Sequence, residues 1–425
     1  MSKITRRSLL KASAAASSIA IPYFIPSGVL AADGKPGAND RVTIGAIGVG
    51  TRGSLLLDQL PDGAQLVALA DCNMPRAEQY KSQRAGDWPV YQDYQRILER
   101  KDIDAVVIAT QEFQRVLPSI HACQAGKDVY AEKPLSLYVR EGRVLVDAAR
   151  KYDRVFQVGT QQRSMAMNRI ACKLIRDGGL GKVQKVLAPC YPGSASPPTD
   201  FGPESPIPAG LNWDAWLNQA SMRPFNDSWG GGGRDLSGGE MTNWGAHGVD
   251  QIQWALGTDD TGPVEMRPMS EGQNGKVAMR YASGVPIEFS LEQGPYGGAI
   301  FVCEKGKLEI NRNKFTSNPP EIAIELLKQV EEAEEELKWS DQTALWQAKW
   351  HIQNWIDCIR SREKPVADVE IAHRSVSVCH LANITRWMNR PLTWDPVAES
   401  FVSDDEANQY VNRTRRAEYE LPKVL

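Results

Sequence analysis

The chain has 425 residues, more than one hydrophobic core usually serves, so we expect two folded domains. Its composition, with 42% hydrophobic and 24% charged residues, is that of an ordinary globular protein. The formal net charge of -3 gives no electrostatic basis for binding nucleic acid or an anionic membrane, which favours a small, neutral molecule as the partner. Seven cysteines are scattered without a Cys-x-x-Cys pair or a Cys/His cluster at zinc-ligand spacing, so we predict no disulfide framework and no metal site.

The first 32 residues have the pattern of a twin-arginine export signal. Arg6 and Arg7 precede an uncharged run over residues 12–20, and the small-residue segment ends near Ala31. Pro22 and Pro26 interrupt the apolar stretch, which is short for a membrane span. We therefore expect a signal that is removed, a leader over residues 33–40, and a mature protein that is periplasmic or secreted, with no membrane contact.

Residues 41–163 alternate short apolar runs with amphipathic segments. Continuous apolar runs suit parallel strands that are covered on both faces, and the segments between them suit crossover helices. The predicted strands are 42–47, 66–70, 105–109, 129–131 and 155–158, and the predicted helices are 54–60, 75–84, 116–125 and 139–151. This pattern predicts an α/β domain of the Rossmann type, a doubly wound parallel sheet.

A glycine turn follows the first predicted strand directly. Gly48, Gly50 and Gly53 allow a tight turn, a close approach of the backbone to a pyrophosphate, and close packing of the next helix. Thr51 and Arg52 open that helix, whose N-terminal N–H groups favour phosphates. We therefore predict a dinucleotide site at this turn.

Asp71 ends the second predicted strand, at the spacing expected for a carboxylate that binds the adenosine ribose. A carboxylate there favours NAD over NADP, although Arg76 would accommodate a 2′-phosphate if it folds back. The alternative interpretation is that Asp71 caps the helix that begins near Met74.

Glu132, Lys133 and Pro134 follow the predicted strand 129–131. A lysine at the carboxyl end of such a strand points into the ligand crevice, where it can bind the nicotinamide ribose and a substrate hydroxyl. Desolvation would lower its pKa and allow it to exchange protons. On chemistry alone, a solvated surface lysine is equally consistent with the pattern.

Residues 164–425 have a different pattern of predicted helices and strands. A helix is predicted over 168–176, followed by strands over 183–188, 276–281, 286–291 and 299–303 with turn-like separators. These segments predict an α+β domain with an open, mainly antiparallel sheet. An acidic helix over 321–338 has the charge pattern of a solvated face, and we assign it no function.

The chain resembles the Gfo/Idh/MocA family (glucose-fructose oxidoreductase and inositol dehydrogenase), specifically its exported bacterial branch. The motifs that carry the resemblance are residues 48–53, 109–110, 125–130, 132–134, 158–161, 238–242, 245–247, 367–370, 373–375 and 394–396. The resemblance implies an N-terminal dinucleotide domain, a C-terminal domain with the substrate pocket, and homo-oligomers through the open sheet. It also implies that Lys133 is catalytic and that Thr110, Glu132 and Gln161 lie at the cofactor.

The family's second signature, Asp-x-x-x-His, falls on Asn243 to His247 of this chain. His247 is then the candidate acid/base, with a pKa expected near its reference value. Asn243 replaces the usual aspartate, and an amide can hold the imidazole by a hydrogen bond but cannot stabilise its charged form.

A second departure from the family pattern follows the fourth strand. The exported branch commonly has two histidines where this chain has Phe113 and Arg115. We consider Arg115 a candidate for binding an anionic substrate group, such as a uronate carboxylate or a sulfate. The alternative is a first-turn helix residue that faces solvent.

Several further side chains are candidates for substrate contact. Gln161, Gln162 and Arg163 follow a strand end and would contact nicotinamide or sugar hydroxyls, or else form a domain linker. The tryptophans at 213, 216, 229 and 244 can stack on sugars, but we expect only one or two of them, Trp244 first, to line the pocket. The histidines at 351, 373 and 380 are expected to be structural.

These observations support three hypotheses. The first is an NAD-dependent oxidoreductase that acts on a sugar or sugar-derived substrate with Lys133 and His247. The second is a redox-neutral glycosidase or epimerase with tightly bound NAD, because an exported enzyme has little free dinucleotide available. The third is a non-catalytic dinucleotide-binding protein, since a fold does not guarantee chemistry.

Overall fold

The computed structural model describes residues 40–196, 202–227, 233–312, 314–332 and 347–423, together with Gly37 and Leu425. The predicted export signal, the rest of the leader, Trp229 and residues 333–338 of the predicted acidic helix lie outside these residues. Val42–Leu425 forms one compact unit, and it contains two β-sheets.

The first sheet has six parallel strands in the order β3-β2-β1-β4-β5-β6. These are β1 (Val42–Ile47), β2 (Ala64–Ala70), β3 (Val90–Tyr91), β4 (Ala105–Ile108), β5 (Asp128–Ala131) and β6 (Phe156–Val158). The helices that connect them are α1 (Thr51–Leu57), α2 (Met74–Gln83), α3 (Gln95–Leu98), α4 (Val116–Gln124) and α5 (Val139–Lys151). Strands β4 and β5 are buried throughout, as expected for parallel strands covered on both faces. The strand order reverses between β1 and β4, which places a crevice at their carboxyl ends.

The second sheet has nine strands in the order β13-β12-β11-β7-β10-β9-β8-β14-β15. These are β7 (Val183–Pro189), β8 (Pro263–Pro268), β9 (Val277–Tyr281), β10 (Pro286–Leu291), β11 (Ala299–Cys303), β12 (Gly306–Asn311), β13 (Lys314–Asn318), β14 (Leu392–Asp395) and β15 (Ser400–Phe401). Strands β7 and β10 pair in parallel and the other recorded pairs are antiparallel. Burial alternates along β9, β10 and β11, because one face of the sheet packs against helices.

The remaining helices are α6 (Ala166–Arg176), α7 (Trp213–Leu217), α8 (Glu240–Leu256), α9 (Glu321–Glu331), α10 (Lys349–Ser361), α11 (Val369–Met388) and α12 (Asp405–Asn408). Helices α6, α8 and α11 share one apolar core with the second sheet. Ile352 and Trp355 of α10 instead pack into the core beneath the first sheet. The chain therefore returns from the second sheet to complete the first domain.

The fold prediction is confirmed: a parallel Rossmann sheet is followed by a mainly antiparallel open sheet. Strand 42–47 and helix 139–151 have the predicted limits. Strand β3 was not predicted, because two half-buried residues carry no periodic signal. All seven cysteines lie in the described ranges and are free thiols. Within those ranges no helix is long and apolar enough to cross a membrane.

Candidate functional site

The three glycines of the turn between β1 and α1 differ in their backbone conformation and in the space around them. Gly48 has a φ of +86°, which L side chains rarely adopt. Gly50 precedes α1 as its N-cap, and an added Cβ would meet no atom of the described chain within 4 Å. At Gly53 a Cβ would overlap the carbonyl oxygen of Gly48. The turn is therefore tight at its start, open at its middle and closely packed at its end.

Asp71 joins the end of β2 to this turn. Its carboxylate accepts hydrogen bonds from the backbone N–H of Val49 at 3.0 Å and of Asn73 at 2.9 Å. Helix α2 is capped by Asn73, whose side chain accepts from the Arg76 N–H at 3.2 Å, so the interpretation of Asp71 as the cap is wrong. Arg76 does fold back, with Nη1 at 3.8 Å from Asp71 Oδ2.

A cavity of about 430 Å³ lies at the carboxyl ends of β1, β2 and β4. Gly48, Gly50, Asp71 and Thr110 line its floor, and Trp216 and Tyr419 line it from the second half of the chain. The Thr110 Oγ1 atom is buried with no hydrogen-bond partner among the described residues. Open space at Gly50, a carboxylate at Asp71 and an unsatisfied hydroxyl at Thr110 together fit a bound dinucleotide.

Glu132 is a buried carboxylate between the glycine turn and the Glu-Lys-Pro turn. Its Oε1 accepts from Arg52 Nε at 2.8 Å, and its Oε2 accepts from the Lys133 backbone N–H at 3.1 Å. Burial acts to raise the pKa of Glu132, but Arg52 and Lys133 outweigh that effect and hold the pKa below its usual value. Glu132 therefore remains ionised and ties the two turns together.

Lys133 and Asn243 meet across the two halves of the molecule. Lys133 Nζ donates to Asn243 Oδ1 at 2.7 Å and to the Asn243 carbonyl at 3.2 Å. The Asn243 amide in turn donates to the exposed Glu240 carboxylate, at 3.2 Å to Oε2. Burial lowers the pKa of Lys133 to about 8, and Glu132 opposes that shift. The asparagine thus holds the lysine amine, a role that an amide oxygen can perform.

His247 lies one helical turn beyond Asn243 on α8 and is 3% exposed. The expectation that its pKa lies near the reference value is wrong. Burial first, and then the charges of Lys133, Arg312 and Arg52, lower its pKa well below 6.5. Its Nδ1 has no hydrogen-bond partner among the described residues. The imidazole is therefore neutral at pH 7, and its Nδ1 is buried.

Arg312 is a residue of this site that sequence reasoning missed. It follows β12, and its guanidinium carbon lies 5.3 Å from the centroid of the Trp244 ring. In the amide orientation that satisfies both groups, Gln161 accepts from Arg312 Nη2 at 2.7 Å and donates to the Gly159 carbonyl at 2.8 Å. The Trp244 ring centroid is 5.7 Å from that of His247. No local motif marks Arg312, because strands far apart in sequence bring it here.

Glu112 was also given no role from sequence. Its buried carboxylate accepts from the Gly238 N–H at 2.8 Å and from Thr242 Oγ1 at 3.0 Å. These bonds attach the loop after β4 to the start of α8. Glu112 therefore positions the helix that carries Asn243 and His247.

Two predicted substrate residues have structural partners instead. Arg115 is buried and donates to the carbonyls of Pro134 and Thr110, so it joins two loops and does not face solvent. Arg163 donates to the Asp250 carboxylate at 2.8 Å and to both Asp259 oxygens at 2.7 and 3.0 Å. The assignment of Arg163 to the substrate is corrected, since each nitrogen of its guanidinium group is bonded within the protein.

The remaining candidate residues lie either near Trp244 and His247, at the edge of the cavity, or in the core. Gln162 donates to the Gly297 carbonyl at 2.8 Å, beside Trp244 and His247. Trp213 stacks on Trp216 with ring centroids 4.6 Å apart, in a cluster at the edge of the cavity. The histidines at 351, 373 and 380 are buried on α10 and α11 and contact Ser164, Glu399 and the Ser136 carbonyl, respectively.

Comparison with known proteins defines the family. Residues 42–160 match the model described as the oxidoreductase family, NAD-binding Rossmann fold (GFO_IDH_MocA). Residues 199–421, more than half of the chain, match the model of the oxidoreductase family, C-terminal alpha/beta domain (GFO_IDH_MocA_C2). The chain therefore belongs to the Gfo/Idh/MocA oxidoreductase family, and its first domain is an NAD-binding Rossmann domain.

Several curated proteins are similar to part of the chain. The inositol 2-dehydrogenase of Agrobacterium fabrum is 33% identical over 148 residues, which are 33% of this chain and 43% of that protein. The myo-inositol 2-dehydrogenase of Thermotoga maritima is 28% identical over 160 residues, 37% and 47% of the two chains. The 2,7-anhydro-N-acetylneuraminate hydratase of Mediterraneibacter gnavus is 31% identical over 122 residues, 29% and 32% of the two chains. The chain thus spans less than half the length of each of these relatives.

Solved structures share the fold over most of the chain. The scyllo-inositol dehydrogenase of Lactobacillus casei with NAD(H) and scyllo-inositol superposes with a TM-score of 0.55 at 16% identity, covering 83% of this chain and 99% of that one. An oxidoreductase domain protein from Kribbella flavida superposes with a TM-score of 0.59 at 19% identity, covering 83% and 98%.

Proposed function

We propose that the protein is an NAD-dependent oxidoreductase that acts on a sugar or sugar-derived small molecule, with Lys133 exchanging the proton of the reacting hydroxyl. The observation that carries this proposal is the position of the Lys133 amine: it lies at the junction of the two halves of the molecule, bonded to Asn243, with a pKa lowered by burial to about 8. A lysine with such a pKa exchanges protons near neutrality.

The cofactor is assigned to the glycine turn and the cavity. Gly48, Gly50 and Thr51 would hold the phosphates, with Gly53 allowing the close packing of α1, and Asp71 would hold the adenosine ribose. Thr110, Glu132 and Gln161 would lie at the nicotinamide end, and of all these residues Gly48, Gly50, Asp71 and Thr110 line the cavity. NAD is favoured over NADP by the Asp71 carboxylate, although Arg76 lies beside it. When bound, the nicotinamide supplies a hydride acceptor or donor.

Lys133, Asn243 and His247 have different roles in the proposed proton transfer. In its neutral form Lys133 takes the proton from a substrate hydroxyl, and Asn243 keeps the amine in place through its Oδ1. His247 is neutral and accepts a hydrogen bond at Nδ1 or donates one, according to its tautomer, and so orients the substrate without carrying charge. Trp244 provides an apolar face beside it on which a sugar ring can stack.

The direct test is turnover by the purified protein with NAD and a panel of sugars and polyols, followed by the absorbance of reduced nicotinamide. We expect Lys133→Met to reduce kcat by about 10²- to 10⁴-fold, the contribution typical of a positioned general base. Lys173→Met, at an exposed position of α6, is the matched control. Equal behaviour of wild-type protein and Lys133→Met in every assay would instead support the non-catalytic dinucleotide-binding hypothesis.

A second candidate function is redox-neutral glycoside cleavage or epimerisation with a retained cofactor. The observation that favours it is that the C-terminal segment lines the cavity and is fastened beside it, where the Tyr419 hydroxyl donates to Asp214 Oδ2 at 2.8 Å and Arg416 also bonds that carboxylate. Mass spectrometry of the purified protein would show whether NAD is retained. Glycoside cleavage without added NAD supports this candidate, and stoichiometric consumption of free NAD contradicts it.

We also propose export through the twin-arginine pathway, which rests on Arg6, Arg7 and the uncharged run that follows. Replacement of both arginines by lysine is expected to leave the protein in the cytoplasm in a cell-fractionation experiment. Accumulation of that variant in the periplasm at the wild-type level contradicts the proposal. A homo-oligomer through the open sheet is likewise proposed, and light scattering of the purified protein tests it.

A further inference from the structure

Asn243 supplies two hydrogen-bond acceptors to the Lys133 amine. Lys133 Nζ donates to Asn243 Oδ1 at 2.7 Å and to the Asn243 backbone carbonyl at 3.2 Å. A neutral amine has two N–H groups and one lone pair, whereas the ammonium has three N–H groups and no lone pair. The two Asn243 oxygens therefore match the two N–H groups of the neutral amine. The lone pair of Nζ is then left for the proton of a substrate hydroxyl.

The side chain of Asn243 can act in this way in one of its two orientations. An amide presents an acceptor oxygen on one side and a donor NH2 group on the other. If the amide were turned over, Nδ2 would face Lys133 Nζ and would donate to the lone pair of the neutral amine. That bond would occupy the electron pair that has to accept the proton. An aspartate at this position has an oxygen on either side, so the orientation matters because this chain has an asparagine.

Glu240 bonds the opposite side of the same amide. It is the first residue of α8, three residues before Asn243, and it is exposed. Asn243 Nδ2 donates to Glu240 Oε2 at 3.2 Å and to Oε1 at 3.3 Å. A carboxylate accepts hydrogen bonds and donates none, so Glu240 binds the NH2 side of the amide and not its oxygen. A bond to an ionised acceptor is stronger than one between neutral groups, although exposure to solvent reduces the gain.

We propose that Glu240 is a positioning residue: its carboxylate holds the Asn243 amide with Oδ1 toward Lys133 and so keeps the lone pair of Nζ free for the substrate proton. In the reaction, the O–H bond of the substrate breaks, an N–H bond forms at Nζ, and the carbinol hydride passes to the bound NAD. The ammonium that results keeps two N–H groups on the Asn243 oxygens, and its third N–H faces the substrate oxygen. This inference rests on the proposed function, because it concerns the proton acceptor of that reaction.

The availability of the lone pair can be measured without turnover. The NAD-loaded protein is labelled with a trace of acetic anhydride at a series of pH values, and mass spectrometry gives the labelling rate of Lys133. The rate reaches a plateau when the amine is fully neutral. We expect Glu240→Leu to lower this plateau about three- to tenfold, the contribution typical of one hydrogen bond, because the turned amide occupies the lone pair. With a sugar that the protein oxidises, kcat should fall by a similar factor and KM should change little.

Three further variants separate the orientation of the amide from other effects. With Asn243→Asp an oxygen faces Lys133 in either orientation, so adding Glu240→Leu to that variant should not lower the plateau. Glu240→Gln should be intermediate, since its own amide can bond the Asn243 amide in both orientations. Glu321→Leu is the matched control, because Glu321 is an exposed glutamate at the first position of α9, and it should change neither measurement.

Specific outcomes overturn the inference. It is wrong if Glu240→Leu is labelled and turns over like the wild-type protein, or if it lowers the plateau equally with and without Asn243→Asp. Thermal unfolding checks each variant, and if Glu240→Leu is unstable, Glu240→Gln with and without Asn243→Asp carries the comparison.

The two measurements also separate this inference from the proposed function. The expected labelling without turnover of any sugar would keep the role of Glu240 and contradict the proposed oxidoreductase activity. Turnover that requires Lys133, with labelling and kcat both insensitive to Glu240→Leu, would do the reverse.

Discussion

Gly50 and Gly53 lie three residues apart in the same turn, yet substitution should affect different properties of the protein. A Cβ at Gly50 meets no described atom within 4 Å, so Gly50→Ala should fold normally and bind NAD more weakly, because the methyl group occupies space assigned to the pyrophosphate. At Gly53 the Cβ overlaps the Gly48 carbonyl, and we expect Gly53→Ala to lose about 1–3 kcal/mol of stability. Thermal unfolding and NAD titration of both variants separate the effects. Equal loss of stability in the two would contradict the assignment.

The pKa of Lys133 predicts the pH dependence of oxidation. Burial lowers this pKa from 10.5 to about 8, and the neutral amine is the form that accepts a proton. Therefore kcat/KM should rise by about tenfold per pH unit below the pKa and level off above it. His247 is already neutral throughout this range and should add no second inflection. An inflection of kcat/KM near pH 6.5, or a kcat/KM that stays constant between pH 7 and 9, would show that a group other than Lys133 transfers the proton.

At the scale of residues, the sequence predicts a position reliably where the backbone conformation or close backbone packing requires a particular residue type. The positive φ at Gly48 and the close packing at Gly53 follow from the turn, and so they are visible in the residue types. Arg115 and Arg163 are different, because a guanidinium binds whatever acceptors the fold brings to it. Their partners lie as far away in sequence as Pro134, Asp250 and Asp259.

At the scale of elements, α7 and the C-terminal segment together line one side of the cavity. Arg416 donates to the Asp214 carbonyl at 2.8 Å and to the Asn218 carbonyl at 2.7 Å, and Tyr419 donates to the Asp214 carboxylate. Both Tyr419 and Trp216 line the cavity. The position of these contacts depends on α7, whose side-chain cap is Asn212. These contacts predict that bound NAD leaves slowly.

The double substitution Asp214→Asn and Tyr419→Phe should accelerate NAD release. We expect the dissociation rate to rise about five- to tenfold, since a hydrogen bond contributes on the order of 1 kcal/mol net. Asp405→Asn, at an exposed position of α12, is the control. Stopped-flow displacement of bound NADH measures the rate. An unchanged rate in the double variant would show that this segment does not retain the cofactor, and would remove the observation that favours the redox-neutral function.

At the scale of the whole molecule, all five histidines have a lowered pKa because of burial. Two of them, His351 and His380, reach about 4. His121, His247 and His373 are also lowered, although Glu399 opposes the shift of His373. The folded state therefore excludes protons that the unfolded chain binds below pH 6.5.

It follows that the contribution of these histidines to the free energy of unfolding is greatest above pH 6.5 and decreases as the pH falls toward 4. Each fully buried histidine should contribute a slope of about 1.4 kcal/mol per pH unit. The window from pH 6.5 to 5 excludes the effect of Glu370 and Glu399, which have pKa values of about 2 and lose their stabilising charge at lower pH. Burial raises the pKa of Glu112 and of Asp250, and these two carboxyls oppose the histidine slope. Urea unfolding at several pH values measures the slope. His351→Gln should reduce by about one the number of protons that the protein takes up on unfolding. If the wild-type protein takes up no protons on unfolding in this window, the prediction is wrong.

The amino-acid sequence by itself determined the architecture and the position of the proposed cofactor site. Apolar runs alternating with amphipathic segments specify buried parallel strands and their crossover helices, and the motifs of the Gfo/Idh/MocA family placed the glycine turn, Asp71 and Lys133 in order along the chain. These features are local, because strand burial, turn conformation and helix start each depend on neighbouring residues.

The tertiary structure alone decided the surroundings of the residues that are proposed to bind the substrate. The return of α10 to the first core, the parallel pairing of β7 with β10, and the meeting of Arg312 with Trp244 and Gln161 join residues that are far apart in the chain. The protonation of His247 was likewise decided by burial and by the cations around it. Burial, charge and hydrogen-bond partners depend on the whole packed molecule, and no short segment of sequence contains them.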